Sequence, residues 1–217
     1  MKRPLLKYCG NKSKEDYRLS SRSKADFIGF IFTESKRRTE PSEVKEWIDE
    51  FGKNGKKHVG VFVNPALEEV EEACRILNLD AVQFHGEESL PLLEEFKQRN
   101  SQELWKAIRH DESALTKMAQ YEPCTDVFLI DSHVKGSWGG TGVAFDWSLA
   151  GRYLEQAEQM GKPCFIAGGV APDNVQDLLR TEPAGIDLAS GIERNGSKDA
   201  ELLKNFEKRV FDYVSGH

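Results

Sequence analysis

No apolar run in the 217 residues is long enough to cross a membrane. The opening Met1-Lys-Arg-Pro-Leu-Leu-Lys7 also lacks the apolar core and cleavage site of a signal peptide, so a cytoplasmic location is expected. Cysteine is sparse. Cys9, Cys74, Cys124 and Cys164 are scattered without a CxxC pair, which fits neither a disulfide framework nor a zinc site, so all four read as free thiols. No long basic tract interrupts a chain of formal net charge -6, which argues against nucleic acid or an acidic membrane as partner. The short cluster Lys36-Arg37-Arg38 suits a local anion contact instead. Linkers and low-complexity stretches are missing too, so residues 1–217 are read as a single domain. No exposed apolar patch is evident either, which suggests a monomer.

What is present is a repeated alternation of short apolar runs with amphipathic stretches. The runs are Leu5 to Gly10, Phe27 to Phe32, His58 to Val63, Ala81 to Gly86, Leu104 to Arg109, Val127 to Asp131, Pro163 to Gly169 and Gly185 to Gly191. Between them lie helical stretches, the first a polar one from Asn11 to Ser23. Val44, Trp47, Ile48 and Phe51 form one apolar face behind Pro41, and Val70, Ala73, Cys74 and Leu77 form another behind Asn64-Pro65, where the asparagine is expected to cap the helix. A helix is also expected from Pro172 to Thr181. Eight units of about 27 residues, with strands apolar on both faces, predict a single α/β domain, a (β/α)8 TIM barrel. A doubly wound open sheet is the alternative, but no dinucleotide-binding fingerprint follows the first run. Residues Ser132 to Ala144, with Gly136-Ser-Trp138-Gly-Gly-Thr-Gly142, are expected to form a mobile loop on glycine content.

In such a barrel the chemistry sits where the strands end, so the last residues of each run are the candidates. They are Cys9, the Ser35-Lys-Arg37 loop, His85, Arg109, Asp131, Gly168-Gly169 and Ser190-Gly191. The two glycine turns leave backbone N–H groups free and side by side, which makes a cradle for phosphate. Cys9 is in phase with Lys7, whose ammonium would favour a thiolate usable as base or nucleophile; a small buried hydrophobe is the alternative. Asp131 closes a strongly apolar run, where a carboxylate is costly unless paired or used; it is a general acid or a cap. Arg37 could fork onto a carboxylate in a way Lys36 cannot, or belong to a solvated loop. His85 is a ligand or a structural hydrogen-bonding group, and it has no partner at metal-ligand spacing. Asp187, within the last strand, pairs with Lys7 or binds a hydroxyl.

Taken together, Lys7-Tyr-Cys9-Gly10, Gly29-Phe-Ile-Phe32 with Ser35-Lys-Arg37, Gly60-Val-Phe-Val-Asn64 and Val82-Gln-Phe-His85-Gly86-Glu87 resemble phosphoribosylanthranilate isomerases. So do Leu129-Ile-Asp131, Gly139-Gly-Thr-Gly142 with Phe145-Asp-Trp147, Ala167-Gly-Gly169 with Asn174-Val175, and Asp187-Leu-Ala-Ser190-Gly191 with Glu193. These motifs run through essentially the whole chain in that family's order. The resemblance implies a phosphate-binding barrel performing an Amadori rearrangement in tryptophan biosynthesis, with no metal or organic cofactor and a phosphosugar-anthranilate as substrate. It puts the general base on Cys9, the general acid on Asp131, the carboxylate contact on Arg37, and the phosphate on Gly168, Gly169, Ser190 and Gly191. Arg38 stands beside Arg37 as a competing guanidinium. Other phosphosugar barrels, such as indole-glycerol-phosphate synthases or phosphopentose epimerases, call for a Lys/Glu set or a metal-binding carboxylate and histidine set, and neither is found.

Overall fold

Strand side chains alternate between two faces, and in this chain both faces are apolar, so each strand must be covered on both sides. The computed structural model describes residues 2–131 and 147–216, and it satisfies that demand by closing the sheet on itself. Strands β1 (Leu5–Tyr8), β2 (Phe27–Ile31), β3 (Lys57–Phe62), β4 (Ala81–Phe84), β5 (Glu103–Arg109), β6 (Val127–Asp131), β7 (Cys164–Ile166) and β8 (Gly185–Leu188) run parallel in sequence order. β1 closes the barrel against β8. The crossovers contain α1 (Lys14–Ser21), α2 (Pro41–Phe51), α3 (Leu67–Leu77), α4 (Leu90–Arg99), α5 (Ala114–Tyr121), α6 (Ala150–Gln159) and α7 (Val175–Leu179), and α8 (Ala200–Ser215) follows β8. The expected (β/α)8 architecture is therefore the observed one.

Alternation sorts the side chains into two cores. Outward residues such as Leu6, Tyr8, Ile28, Phe30, Phe128 and Ile130 pack with the helices. Inward residues, among them Phe27, Trp105, Leu129 and Phe165, form a separate cluster inside the barrel. Phe27, Trp105 and Phe165 meet edge-on or tilted at centroid separations of 4.7–5.9 Å, which plugs the N-terminal end of the barrel. Each such pair adds about 0.5–1.5 kcal/mol beyond its burial. The same inward phase continues to the other end through Lys7, Gln83, Asp131 and Asp187, which bring polar groups to that end.

Several local expectations are corrected. β1 stops at Tyr8, and Cys9 and Gly10 stand just beyond it, Gly10 at φ 74°. The weak periodicity of the first helical stretch has a physical cause: α1 buries Asp16, Ser20 and Ser21 beside Tyr17, and these polar groups are satisfied there. Ser20 Oγ donates to Asn11 Oδ1 at 2.6 Å, and Asp16 Oδ1 accepts the Lys198 backbone N–H at 2.8 Å. Asn64 does not cap α3, which opens at Leu67 behind Ala66. Asn64 takes the left-handed conformation at φ 47° and accepts the Glu87 N–H at 2.8 Å, joining two loops. The helix expected over 172–181 shrinks to Val175–Leu179. A hairpin of β9 (Glu193–Arg194) and β10 (Ser197–Lys198) sits between β8 and α8, where no separate element was expected. The loop expected to be mobile, with Trp138, lies outside the described residues.

Candidate active site

A cleft opens at the C-terminal ends of the strands and gathers Cys9, Arg37, His85, Asp131, Gly168, Gly169, Asp187 and Ser190 on its walls. These residues come from the ends of β1, β2, β4, β6, β7 and β8. Lys7 lies beneath the cleft, fully buried, and does not line it.

At the base of the cleft the register of β1 on β8 sets Lys7 opposite Asp187. Lys7 Nζ donates to Asp187 Oδ1 at 3.0 Å, the first of the two roles the sequence left open for this carboxylate. Burial opposes the ammonium, but Asp187 and Cys9 outweigh it, and Lys7 is held above its ordinary value. A Cβ on Gly29 would meet Cys9 Sγ at 2.8 Å and Lys7 Nζ at 3.2 Å, so only glycine leaves room for both groups. The expectation of a favoured thiolate is corrected: burial pushes the Cys9 thiol up, and the pull of Lys7 the other way does not offset it.

Across the cleft, Asp131 is almost wholly enclosed and His85 Nε2 lies 3.3 Å from its Oδ2. His85 Nδ1 lies 3.1 Å from Gln83 Nε2. The ring thus bridges Gln83 and Asp131, one nitrogen toward each. His85 is a neighbour of Asp131 at ion-pair distance, and its other ring nitrogen is held by Gln83. Gln83 Oε1 is buried without a partner among the described residues.

Arg37 is buried on the wall, whereas Arg38 is exposed and paired with Glu40 at 2.8 Å. The Arg37 fork is already engaged, with Nε donating to Glu193 Oε1 at 2.9 Å and Nη2 to Oε2 at 2.7 Å. Burial works against the Glu193 carboxylate, but Arg37 and Lys198 hold it below its ordinary value.

The two glycine turns lie side by side. Gly168 and Gly169 have φ 85° and 68°, a region that side chains disfavour. Asn174 fixes that turn, with Nδ2 donating to the Gly169 carbonyl and Oδ1 accepting the Ala171 N–H, each at 2.8 Å. A Cβ on Gly191 would overlap the Val170 carbonyl, so glycine is what allows the second turn to close on the first. The N–H groups of Gly168, Gly169, Ser190 and Gly191 have no backbone acceptor among the described residues. Among those residues no three His, Cys, Asp or Glu side chains gather so as to hold a metal ion, and no helix is long and apolar enough to cross a membrane.

The sequence reading missed Gln83 and Lys198 as site-supporting groups and gave Glu193 no role. The Asn195-Gly196 pair that turns the hairpin, with φ 54° and 79°, is a strong two-residue hairpin signal and could have revealed β9 and β10.

Fold and cleft together define a (β/α)8 barrel of the phosphate-binding type, with polar groups on the C-terminal rim. The family described as N-(5'phosphoribosyl)anthranilate (PRA) isomerase matches residues 6–209. The chain is 49% identical over 215 residues to the N-(5'-phosphoribosyl)anthranilate isomerase of Bacillus velezensis, covering 99% of each chain, and 46% identical over 215 residues to that of Bacillus subtilis, again 99% of each. Among solved structures, phosphoribosyl anthranilate isomerase from Thermotoga maritima superposes with TM-score 0.82 at 30% identity, over 96% of this chain and 99% of that one. Another such isomerase, solved in complex with reduced 1-(o-carboxyphenylamino)-1-deoxyribulose 5-phosphate, gives 0.79 at 29% identity, over 96% and 99%. The chain belongs to the phosphoribosylanthranilate isomerase family.

Proposed function

We propose that the chain isomerises N-(5-phosphoribosyl)anthranilate to 1-(2-carboxyphenylamino)-1-deoxyribulose 5-phosphate, with Asp131 as general acid and Cys9 as general base. The observation that supports this most is that one cleft unites a buried thiol, a buried carboxylate, a guanidinium and two glycine turns drawn from opposite ends of the chain. The family match and the relative solved with a reduced product analogue support the same substrate class.

Asp131 gives its proton to the furanose ring oxygen as the C1–O bond breaks, and the anthranilate nitrogen lone pair forms C1=N. Cys9 then takes the C2 proton. The released electron pair forms C1=C2 as the C=N electrons return to nitrogen. Ketonisation adds a proton at C1 and releases the C2 hydroxyl proton, so substrate and product hold equal numbers of protons. The turns at Gly168, Gly169, Ser190 and Gly191 bind the phosphate, and Arg37 meets the anthranilate carboxylate beside Glu193. Anchoring both ends sets the reacting carbons between acid and base. Lys7 and Asp187 support Cys9 from below, and His85 supports Asp131.

The whole of 1–217 is read as one barrel domain, cytoplasmic and monomeric. Leu5 is the only exposed large hydrophobic residue among those described, which supports a monomer, although the Thermotoga maritima relative is a dimeric protein. Sedimentation at the mass of one chain is expected, and a dimer peak overturns that reading. The reaction is tested by adding phosphoribosylanthranilate to purified protein and following loss of anthranilate-type fluorescence. No turnover above the uncatalysed rate sinks the proposal.

A further inference from the structure

Lys198 closes the β9–β10 hairpin, and its side chain is fully buried. Its ammonium has three partners. Nζ donates to the Cys9 carbonyl at 2.7 Å, to the Ala189 carbonyl at 3.1 Å and to Glu193 Oε1 at 3.0 Å. Each partner belongs to a different part of the cleft: the residue proposed as base, the turn that leads into Ser190, and the carboxylate that holds Arg37. The hairpin itself is anchored from outside, since the Lys198 N–H donates to Asp16 Oδ1 and the same carboxylate accepts the Lys12 N–H through Oδ2.

Hydrogen bonds to one charged donor fix the mutual spacing of its acceptors, because a buried ammonium left with an unfilled partner is costly. A point charge with three donors on a flexible stem suits three acceptors that converge from different directions. We propose that Lys198 is a positioning residue that holds the Cys9 backbone, the second phosphate turn and the Glu193–Arg37 pair in mutual register. This rests on the reaction proposed above and assigns to it a residue that does not line the cleft.

The charged groups that face Cys9 are Lys7 from β1, which Cys9 directly follows, Asp187 from β8 and Lys198 from β10. Glu193 and Arg37 face Lys198 in turn. Lys7 and Lys198 favour the thiolate, whereas Asp187 opposes it.

The test is Lys198→Met in the full-length chain, which keeps the stem and removes the charge. Its kcat/KM for phosphoribosylanthranilate is expected to fall on the order of 100-fold, shared between kcat and KM. The pH midpoint for iodoacetamide alkylation of Cys9, read by peptide mapping so that the other cysteines do not interfere, should move up. Glu193→Gln, which weakens the Arg37 arm and its tie to Lys198 but leaves the Cys9 and Ala189 carbonyls on the ammonium, should raise KM several-fold more than it lowers kcat. If Lys198→Met does not fold by circular dichroism, Lys198→Gln, which retains a donor, is read in its place by the same criteria.

A folded variant with kcat and KM within twofold of the parent and an unmoved alkylation midpoint overturns the inference. Failure of the reaction reading looks different. The parent protein itself would then not turn over phosphoribosylanthranilate, while the alkylation midpoint would still report whether Lys198 holds Cys9.

Discussion

Nε2 of His85 stands 3.3 Å from Oδ2 of Asp131, and both side chains are nearly enclosed at the ends of strands two positions apart in the barrel. The imidazole is itself held by the Gln83 amide, at 3.1 Å from Nδ1. Asp131→Asn keeps the shape and removes the acid, so kcat should fall by roughly 100-fold or more. Inhibition by inorganic phosphate should stay nearly constant, because the glycine turns are untouched. His85→Asn should cost less, about 10-fold in kcat, since the acid remains and only its support is lost. Steady-state fluorescence kinetics checks both, and unchanged turnover in Asp131→Asn removes its assigned role.

Cys9→Ser replaces the thiol with a far weaker acid in the same buried place. Turnover should fall by roughly 100-fold or more with KM changed little. The parent enzyme's kcat/KM should rise with pH along an acidic limb set by the thiol, because burial pushes that group up and the base form must be reached first. A profile flat from neutral to alkaline pH would count against Cys9 as base.

How much of this was legible in the sequence depends on the range of the forces involved. Strand order and barrel closure follow from local patterning: Val127 to Ile130 is apolar and Asp131 ends the run, and β6 occupies those same residues. The rim positions of Cys9, His85, Asp131, Gly168-Gly169 and Ser190 were readable for the same reason, since a strand's end is a local feature. The grip of Glu193 on Arg37 was not, because those residues are 156 positions apart and meet only after the barrel closes. Nor was the state of the Cys9 thiol legible. Phase with Lys7 announces the nearby cation, but burial is a property of the assembled barrel, and here it has the larger effect.

His58 on β3 is fully enclosed against Tyr17 and Phe30, and its Nδ1 has no partner among the described residues. Burial chiefly, with Lys53 adding to it, lowers its pKa from 6.5 to about 4. The unfolded chain therefore takes up a proton below about pH 6.5 while the folded chain resists it, and stability drains away as the pH falls from 6.5 to about 4. The linked difference is about 3 kcal/mol. His58→Leu should flatten this portion of the acid dependence, so the Tm gap between pH 7 and pH 4.5 narrows relative to the parent. An equal gap in both proteins would show that His58 is not the sensor.

Lys106 and Glu88 form an enclosed ion pair at 3.0 Å behind the β4–α4 loop, and the ammonium also donates to the Phe84, Gly86 and Ala107 carbonyls. Burial lowers the Lys106 pKa against the pull of Glu88. Removing one partner strands the other, so Lys106→Met should destabilise by about 3–5 kcal/mol in urea unfolding. Lys106→Met combined with Glu88→Leu should cost less than the sum of the two single changes.

Arg37 and Arg38 are adjacent in sequence and opposite in environment, which allows a paired comparison. Arg37 is buried on the cleft wall with its fork on Glu193, while Arg38 is exposed and paired with Glu40, a surface contact of small value. Arg37→Ala removes a charged donor from the proposed carboxylate site and leaves Glu193 there with Lys198 as its one remaining cationic partner. Both effects weaken binding of an anionic ring, so substrate affinity should fall by about 2–3 kcal/mol. That is roughly a 30- to 150-fold rise in KM at 1.4 kcal/mol per decade, with kcat less affected. Arg38→Ala should change KM less than about twofold. If Arg38→Ala has the larger effect, the carboxylate does not enter beside Glu193, and the substrate's orientation across the barrel must be reassigned.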